Sequence, residues 1–357
     1  MARAPRSATD FAQLPTEAAH PRAARLDTMA PEAIAALMLG EEAKAVRAAQ
    51  ARADVIGRAA RLVADKLAGG GRLVYVGAGT SGRLGTLDAV ECVPTFGVPP
   101  SRLVPIIAGG PAALTRSVEG AEDNVRDGEQ RMRRVAVGPA DVVCCVAASG
   151  TTPFVRAALD YARFRRAATI LVTCGGNPER VPGPSRDGLA QAEPGLARRD
   201  RGNPPTNGER VADVVIALDT GPEVIAGSTR LKAGTATKIA LNAMSTAAFV
   251  LLGKTYGGLM VDVRPTNAKL WARAIRIVRA LSGLDDVAAR KLIEKAGGRA
   301  KVALVMHHSS VSAARARELL MTHKGSLRAI VGDVGNGGRG GGAAATGDDA
   351  PADREAQ

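Results

Sequence analysis

The sequence predicts an α/β protein built on a parallel β-sheet with helices on both faces. Short, almost continuous apolar stretches alternate with segments whose apolar residues recur at helical spacing. Strands without a polar face are buried on both sides, as in a parallel sheet covered by helices. A chain of 357 residues with 46% hydrophobic content is long enough for one large core and a smaller module.

The elements of this sheet domain follow one another along the chain. Residues 1–24 are mixed and turn-prone, and we expect a flexible N-terminal segment there. Two helices are predicted between Pro31 and Leu67, and the glycines at 69–71 end the second one. Five strands are then predicted, with helical patterns between most of them, at 72–76, 103–107, 141–148, 168–173 and 212–218.

The second half of the chain is less regular. Residues 175–210 are rich in Pro, Gly and Arg, and such a long loop is either a functional lid or an unstructured insertion, which we favour. Helices are predicted at 228–253 and 266–282, and shorter ones follow between 285 and 331. The sheet domain therefore covers 25–265, a C-terminal helical module covers 266–334, and 335–357 is a disordered tail.

Composition argues against several classes of protein. The net charge is +13, but the arginines are scattered and only 3% of residues are aromatic, so we expect no nucleic-acid surface. No stretch resembles a membrane span or a signal peptide, which predicts a cytoplasmic protein without membrane contact.

Cysteine and histidine usage narrows the possible chemistry further. The cysteines lie in or beside apolar segments without metal-ligand spacing, as reduced structural thiols do. The four histidines lie outside the predicted sheet domain, which disfavours a Ser-His-carboxylate site or a His-rich metal site at the strand ends. These residues are Cys92, Cys144, Cys145, Cys174, His20, His307, His308 and His323.

The turn after the first predicted strand carries the strongest functional signal. Its glycines, including Gly79, allow a ligand to approach the backbone, and the amides at the following helix start attract an anion. Thr80 and Ser81 add hydroxyl donors suited to a phosphate. The spelling Gly77-x-Gly79-x-x-Gly82 also matches a dinucleotide fingerprint, but the strand at 103–107 lacks the acidic residue that ribose binding requires. We therefore favour a sugar phosphate or another small phosphate.

A second hydroxyl-rich turn follows the strand at 141–148 and contains Ser149, Gly150 and Thr151. Ligands of open parallel sheets bind beyond the carboxyl ends of the strands, so the two turns can converge on one phosphate. Taken alone, Ser149 or Thr151 is equally well explained as an N-cap of the next helix. The first turn favours the ligand interpretation.

Acidic and basic residues supply further candidates. Glu91 follows the first turn, and Glu119 and Glu122 lie in an acidic stretch at 118–123. Such carboxylates can act as general acid and base, although composition alone favours ordinary surface acids. Arg230 and Lys232 lie at the N-terminus of the long predicted helix and suit a carboxylate or a phosphate, while structural capping explains Ser228 equally well.

These blocks together resemble the N-acetylmuramic acid 6-phosphate etherase family. The resemblance extends over about residues 16–331 and is carried by 77–85, 88–92, 94–97, 118–123, 147–150, 221–235, 259–263 and 266–267. It implies a three-layer sugar isomerase (SIS) fold with a five-stranded parallel sheet, a homodimer, and kinship with glucokinase regulatory protein. Departures include Thr151, where the family often has Arg, His20 in place of Asn, and the insertion at 175–210.

The activity that the resemblance implies is cleavage of the D-lactyl ether of N-acetylmuramate 6-phosphate during cell-wall recycling, without any cofactor or metal. Matched by motif, Glu91 falls on the family's proton donor and Glu122 on its second catalytic acid, the C2 base, with Glu119 as the alternative base. A non-catalytic sugar-phosphate sensor and an aldose–ketose isomerase are the competing functions. The paired glutamates favour the etherase, because a sensor needs no pair of catalytic acids.

Overall fold

A computed structural model describes residues 16–175, 211–263, 265 and 267–334. The predictions for residues 1–15 and for the tail at 335–357 lie outside the described residues, as do nearly all of the predicted insertion at 175–210 and Thr266. In the described part, the α/β prediction is confirmed.

The centre of the molecule is a parallel sheet of five strands in the order β2-β1-β3-β4-β5. The strands are β1 Leu73–Gly77, β2 Leu103–Ile107, β3 Val142–Val146, β4 Ala168–Thr173 and β5 Val214–Ala217. Each overlaps its predicted segment, and every ladder is parallel. β1 and β3 are buried on both faces of the sheet, which explains why their sequences are continuous apolar stretches.

Helices cover both faces of this sheet. The helices of the sheet domain are α1 Pro31–Gln50, α2 Ala53–Ala68, α3 Gly79–Phe96, α4 Val125–Arg134, α5 Pro153–Phe164 and α6 Lys232–Leu251. Side chains of α1, α2, α3 and α6 pack in one apolar cluster with one sheet face, and those of α4 and α5 pack with the other. The result is the three-layer arrangement that the sequence predicted.

A third apolar cluster forms the C-terminal helical module. Its helices are α7 Ala268–Ser282, α8 Asp286–Lys295, α9 Ala300–Ser309, α10 Ala313–Thr322 and α11 Arg328–Val331. Asn267, Asp285 and Ser312 cap α7, α8 and α10 through their side chains. These helices therefore pack around a core of their own.

The described part of the N-terminal segment differs from the expectation of flexibility. Thr16 and His20 are buried, and the Thr16 carbonyl accepts a 2.8 Å hydrogen bond from the amide of Gly227. Residues 16–24 therefore pack against the loop that precedes α6. Local sequence patterns do not reveal this contact, because the partners lie about two hundred residues apart in the chain.

The glycines of the first turn are explained by a close crossing between β1 and α3. A Cβ atom on Gly82 would lie 2.6 Å from Cγ1 of Ile107 and 2.7 Å from the Gly77 carbonyl oxygen. A Cβ on Gly77 would lie 2.6 Å from the Gly82 amide nitrogen. Both glycines are therefore required for packing, whichever anion binds, and this accounts for the resemblance to a dinucleotide fingerprint.

This crossing predicts unequal effects for two Gly→Ala substitutions. We expect Gly82→Ala to destabilise the protein by about 1–3 kcal/mol, because the methyl group overlaps backbone and a buried isoleucine. Gly57→Ala in α2 is the matched control, since no atom lies within 4 Å of its added Cβ. It should stabilise the fold by about 0.5–1 kcal/mol through helix propensity. Urea denaturation measures both, and equal midpoints would contradict the packing role of Gly82.

Candidate active site

The two hydroxyl-rich turns meet at the point where the strand order reverses. β1 pairs with β2 on one side and with β3 on the other, and Gly77 lies opposite Val146 at the ends of β1 and β3. Adjacent strands are about 4.8 Å apart, so turns that leave them at the same level are neighbours. The switch point of an open parallel sheet is its usual ligand site.

The first turn presents backbone amides to this point. α3 begins at Gly79, and no side chain caps it. The amides of Gly79, Thr80 and Ser81 therefore have no intrahelical acceptor. Gly79 is exposed and has a φ of +51°, which favours glycine, while Thr80 and Ser81 are half-buried. These three residues therefore remain candidates for an anion site.

In the second turn, the hydroxyls do not cap the following helix. Thr152 is the N-cap residue of α5 and makes no side-chain cap hydrogen bond. The Ser149 hydroxyl instead accepts a 3.2 Å hydrogen bond from the Thr151 amide and lies 3.0 Å from the Thr151 hydroxyl. Gly150 permits this tight turn with a φ of +70°. The capping alternative is therefore wrong, and both half-buried hydroxyls remain candidates for a ligand.

The start of α6 reaches the same region. A Cβ atom on Gly234 would lie 3.6 Å from Cγ2 of Thr80, so the first turn of α6 is next to the first turn of α3. Arg230 precedes α6 and is exposed. Its guanidinium makes no hydrogen bond or ion pair with any residue that the structure describes, and it is available to an anionic ligand.

Lys232 has a different environment from the one expected of a substrate contact. Its side chain is 1% exposed, and its ammonium donates to a Glu41 carboxylate oxygen at 2.8 Å and to the Pro222 carbonyl oxygen at 2.6 Å. Its positive charge is therefore already compensated by the buried Glu41 carboxylate. We assign Lys232 to the support of α6 rather than to ligand binding.

Glu41 on α1 is the centre of a buried charge cluster. His20 Nε2 and Lys44 Nζ lie 3.1 and 2.9 Å from its Oε2 atom, beside Lys232. Burial acts to raise the pKa of Glu41, but hydrogen bonds from Lys232, Lys44 and His20 outweigh it and lower that pKa from 4.5 to about 2. His20 thus belongs structurally to the sheet domain, although its position in the sequence lies outside it.

A second buried glutamate caps α6. Glu223 is fully buried, and its two carboxylate oxygens accept hydrogen bonds from the amides of Lys232 and Ala233 at 3.1 and 2.8 Å. Burial raises the pKa of Glu223, while these amides act to lower it. The first amides of α6 are thus satisfied by the protein itself, and the starts of α3 and α5 remain the candidate anion sites.

Glu91 lies on the exposed side of α3, directly above a buried polar network. Asp88, one turn earlier and 3% exposed, accepts hydrogen bonds from Tyr75 Oη at 2.6 Å, Asn242 Nδ2 at 2.6 Å and Ser245 Oγ at 3.1 Å. Burial raises the pKa of Asp88, against the hydrogen bonds that lower it. The network joins β1, α3 and α6, so it fixes the helix face that carries Glu91.

Glu122 lies in a short 3-10 turn, Ala121–Asp123, after the loop that leaves β2. Arg83 on α3 holds this loop, because its guanidinium donates to the carbonyl oxygens of Leu114 and Arg116 at 3.3 and 3.2 Å. Ala121 packs against the apolar cluster of α4 and α5. Glu122 is exposed and follows Ala121 on the face of the sheet that α4 and α5 cover.

The sequence reasoning missed Glu41 and Glu223 as determinants of the site. In the sequence, each lies in or beside a segment with apolar residues at regular spacing and looks like an ordinary surface acid. Only the hydrogen bonds that each makes in the folded chain show that it is buried and structural. Thr220, just past β5, was also missed: its hydroxyl is buried and has no hydrogen-bond partner among the described residues. It lies at the same carboxyl edge of the sheet and adds a candidate ligand donor.

Other features of the described residues concern cofactors and membranes. All four cysteines are free and buried, and burial raises the pKa of the Cys145 and Cys174 thiols to about 12. Within 16–175, 211–263, 265 and 267–334, the acidic, cysteine and histidine side chains form no group of three suited to a metal ion. No helix in these ranges combines the length and apolarity needed to cross a bilayer.

Comparison with known proteins gives one consistent result. The family model for the glucokinase regulatory protein N-terminal SIS domain matches residues 54–163. A Deinococcus radiodurans protein named N-acetylmuramic acid 6-phosphate etherase is 48% identical over 318 residues, which cover 89% of this chain and 95% of that protein. Proteins of the same name from Gloeobacter violaceus and Rhodopirellula baltica are 48% and 39% identical over 84% and 89% of this chain, and 89% and 96% of their own length.

The buried cluster around Glu41 predicts a pH-dependent stability. We expect Glu41→Gln to destabilise the protein by about 3–5 kcal/mol at pH 7, because Lys232 would keep a buried charge without its counter-ion. Since the pKa of Glu41 is lower in the folded chain than its ordinary 4.5, its stabilisation is complete above that pH and is lost as pH falls toward 2. The difference between wild type and variant should therefore shrink over this range.

Denaturation at a series of pH values measures this difference. Glu32→Gln, which removes an exposed carboxylate from the same helix, is the control and should change stability little at any pH. A Glu41→Gln protein as stable as wild type at pH 7 would show that the cluster does not support α6.

Proposed function

The chain belongs to the N-acetylmuramic acid 6-phosphate etherase family, and on this premise we propose that it cleaves N-acetylmuramate 6-phosphate into N-acetylglucosamine 6-phosphate and D-lactate. The observation that carries the proposal is the meeting of two hydroxyl-rich turns at the switch point of the sheet. The helix that bears Glu91 begins at that point, and the loop that leaves β2 bears Glu122. We further propose that this reaction takes place in the cytoplasm and needs no cofactor.

The two turns supply the phosphate site in this proposal. The free amides of Gly79, Thr80 and Ser81 donate to the phosphate oxygens, and the dipole of α3 favours the negative charge. The second turn adds the hydroxyls of Ser149 and Thr151, with Gly150 holding the turn in place. A phosphate at C6 of the sugar is thus fixed, and C1 to C3 project away from the turns.

The chemistry then requires one base and one acid. Opening of the sugar ring exposes an aldehyde at C1, which makes the C2 proton acidic. Glu122 removes that proton while Glu91 donates a proton to the ether oxygen on C3, so the C3–O bond breaks and D-lactate leaves. Water then adds across the C2–C3 double bond, with its hydroxyl on C3 and a proton on C2. Arg230, exposed and unpaired among the described residues, binds the lactyl carboxylate.

The length of α3 determines whether Glu91 can reach a substrate whose phosphate is bound at the start of the same helix. Ten residues separate Ser81 from Glu91, which corresponds to about 15 Å along the helix axis. Six covalent bonds of about 1.5 Å join the phosphorus to the ether oxygen on C3, a span of at most about 8 Å. Even with a reaching side chain, Glu91 falls several ångströms short of the ether in its own chain. We propose that Glu91 acts in the site of a second copy.

The surroundings of Glu91 support such a homodimer. Leu87 and Val90 are 47% and 57% exposed, and with Pro94 they form an apolar stripe on α3 that also contains Glu91. Exposed apolar side chains on one helix face are typical of an interface. Two-fold symmetry would give each of two equivalent sites one Glu91 from the partner.

The catalytic roles predict the effect of removing each carboxylate. We expect Glu91→Gln and Glu122→Gln to lower the rate of D-lactate release by about 10²–10⁴-fold, the usual contribution of a general acid or base. Glu119→Gln is the matched control, because Glu119 is an exposed glutamate in the same loop. Its rate should stay within a factor of a few of wild type. Full activity of both Glu91→Gln and Glu122→Gln, or sugar-phosphate binding by wild type without turnover, would refute the proposed function.

The origin of Glu91 has a separate test. We would mix a Glu91→Gln chain with a chain that carries Ser81→Ala and Ser149→Ala, each nearly inactive alone. If Glu91 acts across the dimer, one site of each mixed dimer is intact, and random exchange restores about a quarter of wild-type activity. If Glu91 acts within its own chain, no site is intact, and the mixture stays inactive.

A further inference from the structure

A cavity lies between the sheet domain and the C-terminal helical module, away from the two hydroxyl-rich turns. It has a volume of about 510 Å³ and is bordered by Gly97 after α3, by Leu252 after α6, and by residues of α9 and α10. A Cβ on Gly97 would lie 2.1 Å from the Asp262 carbonyl oxygen, so the loop before α7 packs directly on the end of α3. The cavity is thus a product of the contact between the two parts.

The cavity wall carries a large excess of positive charge. Its ionisable side chains are Lys254, Arg299, Lys301, Arg317, Lys324 and Asp262. Five of the six are cations, while the single carboxylate is already shared by Lys254 at 2.9 Å and Lys301 at 3.2 Å. Burial lowers the pKa of Lys301, and Lys254 acts in the same direction. The cations outnumber the acids, as in a site that receives an anion.

Not all of these cations are explained by the fold. Lys301 donates to the Gly253 carbonyl oxygen at 2.6 Å, and Arg317 donates to the Ala296 carbonyl oxygen at 3.3 Å. These two hold the ends of α6 and α8. Arg299 and Lys324, by contrast, make no hydrogen bond or ion pair with any residue that the structure describes. Two unpaired cations facing one cavity are a feature that packing does not require.

This cavity is separate from the proposed phosphate turns. α3 has 18 residues, so its two ends are about 27 Å apart. The turns lie at its N-terminal end, and the cavity lies at its C-terminal end. A molecule of sugar-phosphate size in one of these sites does not reach the other.

We propose that this cavity binds a small polyanion of the phosphorylated-metabolite class, with Arg299 and Lys324 as its main cationic ligands. Two phosphate groups, or a phosphate and a carboxylate, match the number of unpaired cations. Apolar side chains such as Leu252, Val302 and Leu320 line the rest of the wall and suit a short carbon skeleton. Because the cavity joins α3 and α6 to the module, a bound anion also strengthens that contact.

Inorganic pyrophosphate is a suitable probe for this site, and calorimetric titration of the full chain measures its binding. We expect Arg299→Gln with Lys324→Gln to weaken binding about a hundredfold, since each of the two lost charge-assisted hydrogen bonds is worth about a factor of ten. Both residues are exposed, and Gln replaces each charged head group with a neutral polar one. Arg134→Gln with Lys291→Gln removes the same two residue types elsewhere on the surface and should leave binding unchanged.

Hydrogen exchange on the wild-type chain locates the bound probe without any substitution. We expect pyrophosphate to protect amides around 299–302 and 320–325, including in a chain with Ser81→Ala and Ser149→Ala. Protection confined to the turns at 78–82 and 149–152 would overturn the proposal, as would wild-type affinity of the Arg299→Gln, Lys324→Gln chain. An equal loss of affinity in the Arg134→Gln, Lys291→Gln chain would also overturn it, because binding would then reflect net charge alone.

Discussion

The close crossing of β1 and α3 is the constraint on which the rest of the molecule depends. The crossing exists because neither Gly77 nor Gly82 has a side chain at the point of contact. It directs the start of α3 to the place where the strand order reverses, so that free amides face the neighbouring turn after β3. The glycines thus act through packing first, and the proposed anion site follows from the geometry that the packing imposes.

A buried charge cluster fixes α6 against this framework. Glu41 from α1, Lys232 from α6 and His20 from the N-terminal segment come from three distant parts of the chain and meet in one hydrogen-bonded group. Removing Glu41 or Lys232 leaves the other buried charge without its buried counter-ion, so the cluster specifies one position for α6 relative to α1. That position brings the first turn of α6 beside Thr80 and brings Asn242 and Ser245 to Asp88. The geometry of the candidate site therefore depends on this buried cluster.

The sequence was informative wherever a local pattern decides the structure. The strands and helices could be predicted from the spacing of apolar residues. A strand that is buried on both faces is a continuous apolar stretch, whereas a helix that is buried on one face has apolar residues at intervals of three or four. Lys232, His20 and Glu223 could not be assigned in this way, since their environments depend on partners far away in the sequence. The spacing of Ser149 and Thr151 was likewise equally compatible with capping and with ligand binding. Only the backbone at Thr152, which lacks a side-chain cap, distinguishes the two.

The position of Glu91 shows that residues of one sequence motif need not belong to one active site. The same sequence block contains the phosphate turn and this glutamate, which suggests that one segment both anchors the substrate and protonates it. In three dimensions the block is a rigid helix of 18 residues, and a rigid helix separates its ends by a distance that a hexose phosphate does not span. The proposed homodimer resolves the conflict, because a second copy packed on the exposed apolar stripe around Glu91 would bring the acid to the opposite turn. Under that proposal the block serves two sites, as an anchor in one and as an acid in the other.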